Sequence, residues 1–108
     1  MTKARFTRAE KEQTLRLEGH QQRRPGDAEN VYCAAVSAIM GTLLCAVDDD
    51  DVIEVATGDG VMMITAKRTV RTDAMYDMAV TGLLAFEANY PGRLTITTYD
   101  VTQNAKMW

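Results

Sequence analysis

The sequence predicts an α+β fold in which two helices pack on a mixed sheet as a two-layer sandwich. Residues 3–7 and 13–19 alternate polar and apolar residues, as half-buried strands do, and a second pair of β-rich segments flanks a hairpin signal further along the chain. Two longer segments carry apolar residues at helical spacing, and each is joined to a strand pair. The resulting order is β-β-α-β-β-α-β. The chain has 108 residues, which is enough for a single domain, residues 1–108, and too few for two.

The first two strands are predicted at residues 3–7 and 13–19, where Leu15 and Leu17 mark the apolar face of the second. The polar stretch between them suits a hairpin connection. Residues 21–29 are polar and contain Pro25-Gly26, which indicates a loop.

The first helix is predicted from Asn30, a suitable N-cap, to Val47. Its buried stripe is predicted to hold Val36, Met40, Leu43, Leu44 and Val47. Four small residues should let another element pack closely: Ala34, Ala35, Ala38 and Gly41. The acidic run Asp48–Asp51 is predicted to be a solvated loop, because it lacks the spaced ligands and loop glycine of a calcium site.

Two further strands, at 52–56 and 61–66, are separated by Gly58-Asp59-Gly60, a strong hairpin signal. The second helix is predicted to begin near Thr72, with Asp73 in its first turn, and to end at Pro91-Gly92. Its buried face is predicted to hold Met75, Ala79, Leu83, Phe86 and Tyr90. A last strand follows at 94–99, and the tail shows no pattern.

Composition narrows the functional class. The net charge of −3 argues against a general nucleic-acid binder, although residues 1–24 carry a local balance of +4 that leaves a contact with RNA open. No run of 18 apolar residues is present and the N-terminus lacks an apolar signal, so a cytoplasmic protein is expected.

Cys33 and Cys45 fall on one helix roughly 18 Å apart, too far for a disulfide. Cys45, between Leu44 and Ala46, is predicted to lie in the core.

The candidate catalytic residues are His20, the only histidine, and Cys33, in the first turn of the first helix. A thiolate is the reactive form of cysteine, and a helix N-terminus stabilises an anion. An imidazole can take the proton and return it to a leaving amine. The pattern alone also allows a buried thiol and an unrelated surface imidazole. Metal-ligand pairs of the zinc type do not occur.

Gly19-His20, the loop that follows, and Cys-Ala-Ala-Val-Ser-Ala at residues 33–38 resemble the ribosomal-processing cysteine protease (Prp) family, and the similarity extends over residues 3–98. The resemblance implies a homodimer that removes a short N-terminal extension from a large-subunit ribosomal protein during ribosome biogenesis, or from a phage capsid or scaffold protein. By position it implies Cys33 as nucleophile and His20 as base. We expect a protein substrate, no cofactor or metal, and no direct contact with nucleic acid.

Other positions near the dyad leave alternatives. Asn30 either orients the imidazole or only caps the helix. Ser37 lies one turn after Cys33 and either reaches the same site or bonds back to the Cys33 carbonyl. The family commonly has Ala where Gln21 stands and Asp where Asn30 stands, which favours a non-catalytic homodimeric binding module as the alternative function. Residues 21–29 form either a lid over the site or an ordinary connection.

Overall fold

The computed structural model describes residues 2–19 and 31–106. His20, Asn30 and the predicted lid at 21–29 lie outside the described residues. The strands are β1 (Thr2–Arg8), β2 (Glu12–Glu18), β3 (Val52–Gly58), β4 (Val61–Lys67) and β5 (Leu94–Asp100). The helices are α1 (Val31–Ala46) and α2 (Val70–Asn89), and a 3-10 turn (Asp49–Asp51) precedes β3.

The five strands form one sheet in the order β3-β4-β2-β1-β5. Neighbouring strands are antiparallel except β1 and β5, which run parallel. A parallel pair needs a long connection, and here both helices and three strands lie between its two members in the sequence. The sheet is therefore mixed, and the predicted class and element order are confirmed.

Alternation along the strands separates the core from solvent. On β1, Ala4 and Phe6 are buried whereas Lys3 and Arg5 are exposed. The ring of Tyr76 from α2 stacks on Phe6, with ring centroids 5.9 Å apart. The helices therefore pack on the face that carries Ala4 and Phe6, and the opposite face of the sheet is polar.

The apolar stripe of α1 is largely as predicted. Val36, Met40 and Leu43 are buried, and Val47 is buried just after the helix. The prediction for the small residues holds only for Ala35, which packs against the core, because Ala34 and Ala38 are exposed and a Cβ on Gly41 would meet nothing within 4 Å. The close approach between the helices occurs at Gly82 of α2, where a Cβ would lie 3.4 Å from Ile39 Cδ1.

The second helix begins at Val70, two residues earlier than predicted. Thr69 caps it, because its Oγ1 accepts the Thr72 backbone N–H at 3.0 Å while the Thr72 hydroxyl accepts the Thr69 N–H at 2.9 Å. The buried face holds Thr72, Tyr76, Ala79, Val80, Leu83 and Phe86. Tyr90 was expected on this face but is 47% exposed, since the helix ends at Asn89.

The remaining turns follow their sequences. Asp59-Gly60 closes the β3–β4 hairpin, with Gly60 at φ 72°, while Gly58 belongs to β3. The acidic residues 48–51 form an exposed or half-buried turn. Within 2–19 and 31–106, no three His, Cys, Asp or Glu side chains are grouped to hold a metal ion. None of the described helices is long and apolar enough to cross a bilayer.

Candidate active site

Cys33 is the third residue of α1 and is half-buried. It lies in a cleft of about 180 Å³ between the start of α1 and the ends of the strands. The cleft is lined by Thr2, Leu17, Gly19, Cys33, Val36, Ser37, Gly58, Gly60, Val61 and Met62. None of the described lining side chains is charged, and the dipoles of the helix start favour an anion at the Cys33 thiol.

The wall opposite Cys33 is made of glycine turns. Gly19, at the end of β2, has φ 93°, and Gly60, in the β3–β4 turn, has φ 72°. The Gly19 N–H donates to the Gly60 carbonyl at 2.8 Å, which holds the two turns together. Positive φ favours glycine at both positions, and the lack of side chains keeps this wall low. Gly19, which lines the cleft, directly precedes His20 in the sequence.

Ser37 lines the same cleft as Cys33, one helical turn further along α1. Thr42 of the same helix bonds back to the Ala38 carbonyl at 2.7 Å. The described residues show no equivalent bond from the Ser37 hydroxyl to the Cys33 carbonyl. Of the four predicted site residues, the structure therefore brings Cys33 and Ser37 together, while His20 and Asn30 lie outside its described part.

An aromatic cluster supports the start of α1. The Tyr32 ring lies 6.2 Å from that of Phe86 and 5.3 Å from that of Tyr90, measured between centroids. The guanidinium carbon of Arg93 lies 4.0 Å from the Tyr32 centroid, within range of a cation–π interaction. The Arg93 carbonyl also accepts the N–H of Thr2, a residue of the cleft, at 3.3 Å. The cluster joins the helix turn that carries Cys33 to the end of α2.

Sequence reasoning did not assign Arg93 a role. The available signal was the adjacency of Tyr32 and Cys33, together with the aromatic residues that end the second helix. Nothing local indicates that Arg93 would meet Tyr32, because the two residues are brought together only by the packing of α1 against α2.

Cys45 lies at the opposite end of α1 and is exposed, so its predicted place in the core is wrong. Its sequence neighbours Leu44 and Ala46 are each half-buried. Met40, Leu43 and Val47 form the buried stripe of α1, and helical geometry places Cys45, two residues from Leu43 and from Val47, on the side away from it.

Comparison with known proteins supports the same interpretation. The model of a family described as cysteine protease Prp matches residues 1–95. Among solved structures, the fold is similar to the essential ribosomal processing protease Prp of Staphylococcus aureus with a covalently linked product peptide, at TM-score 0.73 and 14% identity, covering 91% of this chain and 99% of that chain. The same protease with a substrate peptide gives TM-score 0.71 and 15% identity over 91% and 99% of the two chains.

A protein from Streptococcus mutans, SMU.848, gives TM-score 0.68 and 22% identity over 93% of this chain and 95% of its own. A search of curated proteins returned no match. These structural similarities establish a shared fold, whereas the family match extends over most of the sequence. The chain therefore belongs to the cysteine protease Prp family.

Proposed function

We propose that this chain is a cysteine endopeptidase that cleaves a short N-terminal extension from a large-subunit ribosomal protein, or a similar extension from a phage capsid or scaffold protein. Cys33 is the nucleophile and His20 is the base. The observation that carries the proposal is the shared cleft of Cys33 and Gly19, because Gly19 is covalently joined to His20 and consecutive Cα atoms are only about 3.8 Å apart.

The chemistry needs these groups in this order. His20 takes the thiol proton, and the Cys33 thiolate attacks the peptide carbonyl to form a C–S bond. The first four N–H groups of a helix lack intrahelical acceptors, and those around Cys33 are available to the developing oxyanion. His20 then protonates the leaving amine as the C–N bond breaks. Water hydrolyses the thioester and restores the thiol.

The supporting residues keep the roles proposed from the sequence. Ser37 donates from its hydroxyl toward the reacting carbonyl or its leaving group, since it lines the cleft beside Cys33. Asn30 orients the imidazole or caps α1. The aromatic cluster of Tyr32, Phe86 and Tyr90 positions Cys33 through the first turn of α1 and touches no reacting atom.

The substrate class rests on the family and on two relatives. The S. aureus structures hold a substrate peptide and a covalently linked product peptide, which agrees with covalent chemistry on a polypeptide. Ribosomal proteins are made in the cytoplasm, and we place the enzyme there.

The direct test is a cleavage assay followed by intact-mass spectrometry, with ribosomal and phage structural proteins that carry short N-terminal extensions. We expect the wild type and Cys45→Ala to remove the extension and Cys33→Ala to leave it intact. Cys45→Ala is the matched control, because it removes an exposed thiol from the far end of the same helix. Equal cleavage by Cys33→Ala would show that the assigned nucleophile is wrong.

The alternative is a non-catalytic homodimeric binding module of the same fold, favoured by Gln21 and Asn30. It predicts that the wild type binds the extension, measured by calorimetry, without any loss of mass over many hours. Cleavage by the wild type removes this alternative.

The homodimer is part of the same proposal under either function. An apolar groove of about 300 Å³ between α1 and α2 supports it, and Met78 on its rim is 76% exposed. We expect sedimentation equilibrium to give a dimer for the wild type and a monomer for Met78→Glu. A dimer unaffected by this substitution would place the interface elsewhere.

A further inference from the structure

We propose that the substrate binds as an additional strand along the free edge of β3, hydrogen-bonded to the main chain of Val55 and Thr57 and leading directly to Cys33. This inference rests on the proposed function, because it takes the bound polypeptide to be the one that is cleaved. The cleft around Cys33 is too small to hold an extended peptide, and the edge of β3 supplies the remaining binding surface.

The end of β3 lies at the cleft that contains Cys33. It is an outer strand of the sheet, and its last residue, Gly58, lines the cleft that contains Cys33. A strand rises about 3.3 Å per residue, so Val55 lies about 10 Å from Gly58 along the edge. A segment of five extended residues therefore reaches from the thiol to Val55.

The hydrogen bonds between β2 and β4 fix the direction of the main-chain groups of β4. The Gly19 N–H donates to the Gly60 carbonyl, so Gly19 and Gly60 form a hydrogen-bonded pair between β2 and the β3–β4 turn. Hydrogen-bonded pairs alternate along an antiparallel ladder, and the next one is Leu17 with Met62. The main-chain groups of Met62 therefore point toward β2 and away from β3.

Thr57 is opposite Met62, and Val55 is opposite Ile64, two residues further along. Because Met62 and Ile64 direct their main-chain groups to β2, the N–H and C=O groups of Thr57 and Val55 point outward from the sheet. Among the described residues, no strand pairs with that edge. An added peptide finds two donors and two acceptors at the spacing of a β-ladder.

The other edge of the sheet is protected. On β5, the Ile96 N–H donates to Glu87 Oε2 of α2 at 2.9 Å, and Asp100 forms a bridge with Ala105. The far end of β3 is interrupted by a register shift between Val52 and Glu54. Proteins commonly protect edges in these ways, and within residues 2–19 and 31–106 the regular, uncharged stretch 55–58 has no such protection.

The surroundings of the edge define what binds. Val55 lies on the helix-covered face of the sheet by register, yet it is 48% exposed, because the helices pack over the more central strands. The cleft wall beyond it is formed by Gly58, Val61 and Met62. The described surroundings therefore suit an extended segment whose side chains beside Gly58, Val61 and Met62 are uncharged.

The test places a peptide at the site by covalent attachment. The probe is a pentapeptide of alternating threonine and alanine that ends in a chloromethyl ketone, used on the Cys45→Ala protein. The Cys33 thiolate displaces chloride and forms a thioether. Amide exchange is then measured by NMR. We expect exchange of the Val55 and Thr57 amides to slow by about tenfold, while Ala56 and Gly58, already bonded to β4, change little.

N-methylated probes supply the matched control. Methyl groups on one alternate set of peptide nitrogens should remove this protection, and methyl groups on the other set should leave it. Exchange at Val55 and Thr57 that is unaffected by the tethered peptide overturns the inference, even if the enzyme cleaves its substrate. Slowed exchange in a protein that cleaves nothing supports strand addition and counts against the proposed function alone.

A kinetic variant adds an independent readout. Thr57→Pro removes the outward N–H without breaking a ladder bond to β4, a position where proline is tolerated. We expect KM to rise about fivefold with kcat nearly unchanged, the effect of one lost hydrogen bond. A folded Thr57→Pro protein with wild-type KM would contradict the inference. If the variant does not fold, the exchange measurement decides.

Discussion

A thiol in the first turn of a helix lies near backbone N–H groups that attract anions, whereas a thiol in the last turn lies near carbonyl oxygens that repel them. Cys33 and Cys45 occupy these two positions on α1. The same side chain is thus present in two opposite electrostatic environments on one helix, and each cysteine is a control for the other.

We expect Cys33 to react with iodoacetamide about tenfold faster than Cys45 at about pH 6, although Cys45 is the more exposed, because the thiolate is the reactive species. The rates are measured by mass spectrometry on Cys45→Ala and Cys33→Ala, so that each protein holds one thiol. Faster labelling of Cys45 under these conditions would mean that the helix start does not activate Cys33.

Ser37 permits a second prediction at this scale. If its hydroxyl acts in the cleft, Ser37→Ala should lower kcat about tenfold and leave the midpoint of urea unfolding unchanged. Thr81→Ala is the control, since the Thr81 hydroxyl donates to the Asp77 carbonyl of α2 at 2.7 Å and Thr81 lies outside the cleft. Unchanged turnover in Ser37→Ala would limit Ser37 to a helical role.

The positions of single residues were predictable where neighbours on the helix surface, and not only neighbours in the sequence, were considered. Cys33 was identified because its chemistry and its place at a helix start agree. Cys45 was misassigned because its sequence neighbours, Leu44 and Ala46, are apolar. Helical geometry predicts an exposed Cys45, since Leu43 and Val47 belong to the buried stripe and a residue two positions from both points away from it.

At the scale of elements, a polar network fastens the start of α2 to the sheet. Asp73 accepts hydrogen bonds from Arg68 Nη2 and Gln13 Nε2, each at 2.8 Å. Arg8, which is buried, donates to Asp77 Oδ1 at 2.8 Å. The hydrogen bond from Arg68 lowers the pKa of Asp73, and Arg8 and Gln13 lower it further against the opposing effect of burial.

This lowered pKa predicts how stability depends on pH. A carboxyl group with a depressed folded pKa stabilises the fold above its unfolded pKa of about 3.9, and the contribution disappears as the pH falls through the folded value. Asp73→Asn should therefore lower the free energy of unfolding by about 2 kcal/mol at neutral pH and by less at about pH 3.

Urea titrations at the two pH values measure this difference. The control is Asp48→Asn, whose carboxyl lies 4.0 Å from Arg71 with both side chains exposed and should contribute less than about 1 kcal/mol. A deficit in Asp73→Asn that is the same at both pH values would exclude a role for the charge.

Tyr76 connects α2 to the centre of the sheet. Its hydroxyl donates to the Ile64 carbonyl at 2.9 Å, and burial raises the pKa of the phenol. Tyr76→Phe should lower the free energy of unfolding by about 1 kcal/mol, the usual net value of a buried hydrogen bond. The exposed Tyr99→Phe, measured in the same urea series, should change it little. No loss in Tyr76→Phe would show that the bond is energetically replaceable.

Element boundaries were predictable only where the local signals are strong. Alternation located the first two strands, the Gly58-Asp59-Gly60 signal between two β-rich segments located the next two, and Pro91-Gly92 located the end of α2. The start of α2 was missed because the capping box uses Thr72 in place of the usual Glu or Gln. Tyr90 was assigned to the buried face because the helical period continues in the sequence beyond the last helical residue.

At the scale of the whole molecule, the two-layer class followed from the order of elements, but the order of strands in the sheet did not. Alternation shows which face of a strand is buried, and it carries no information about which strand lies beside it. The parallel pairing of β1 with β5 and the meeting of Gly19 with Gly60 are consequences of tertiary packing. The pair Cys33 and His20 therefore stays a prediction from the sequence, and the cleft that contains Cys33 was not predictable from it.

The central claim is that Cys33 and His20 act as one catalytic unit, and a double-mutant cycle on kcat/KM tests it most directly. Residues that act together are strongly non-additive, so Cys33→Ala, His20→Ala and the double variant should each lose about the same activity, on the order of a thousandfold or more. A His20→Ala enzyme with near-wild-type kcat/KM, or a double variant whose loss is the product of the two single losses, would contradict the account.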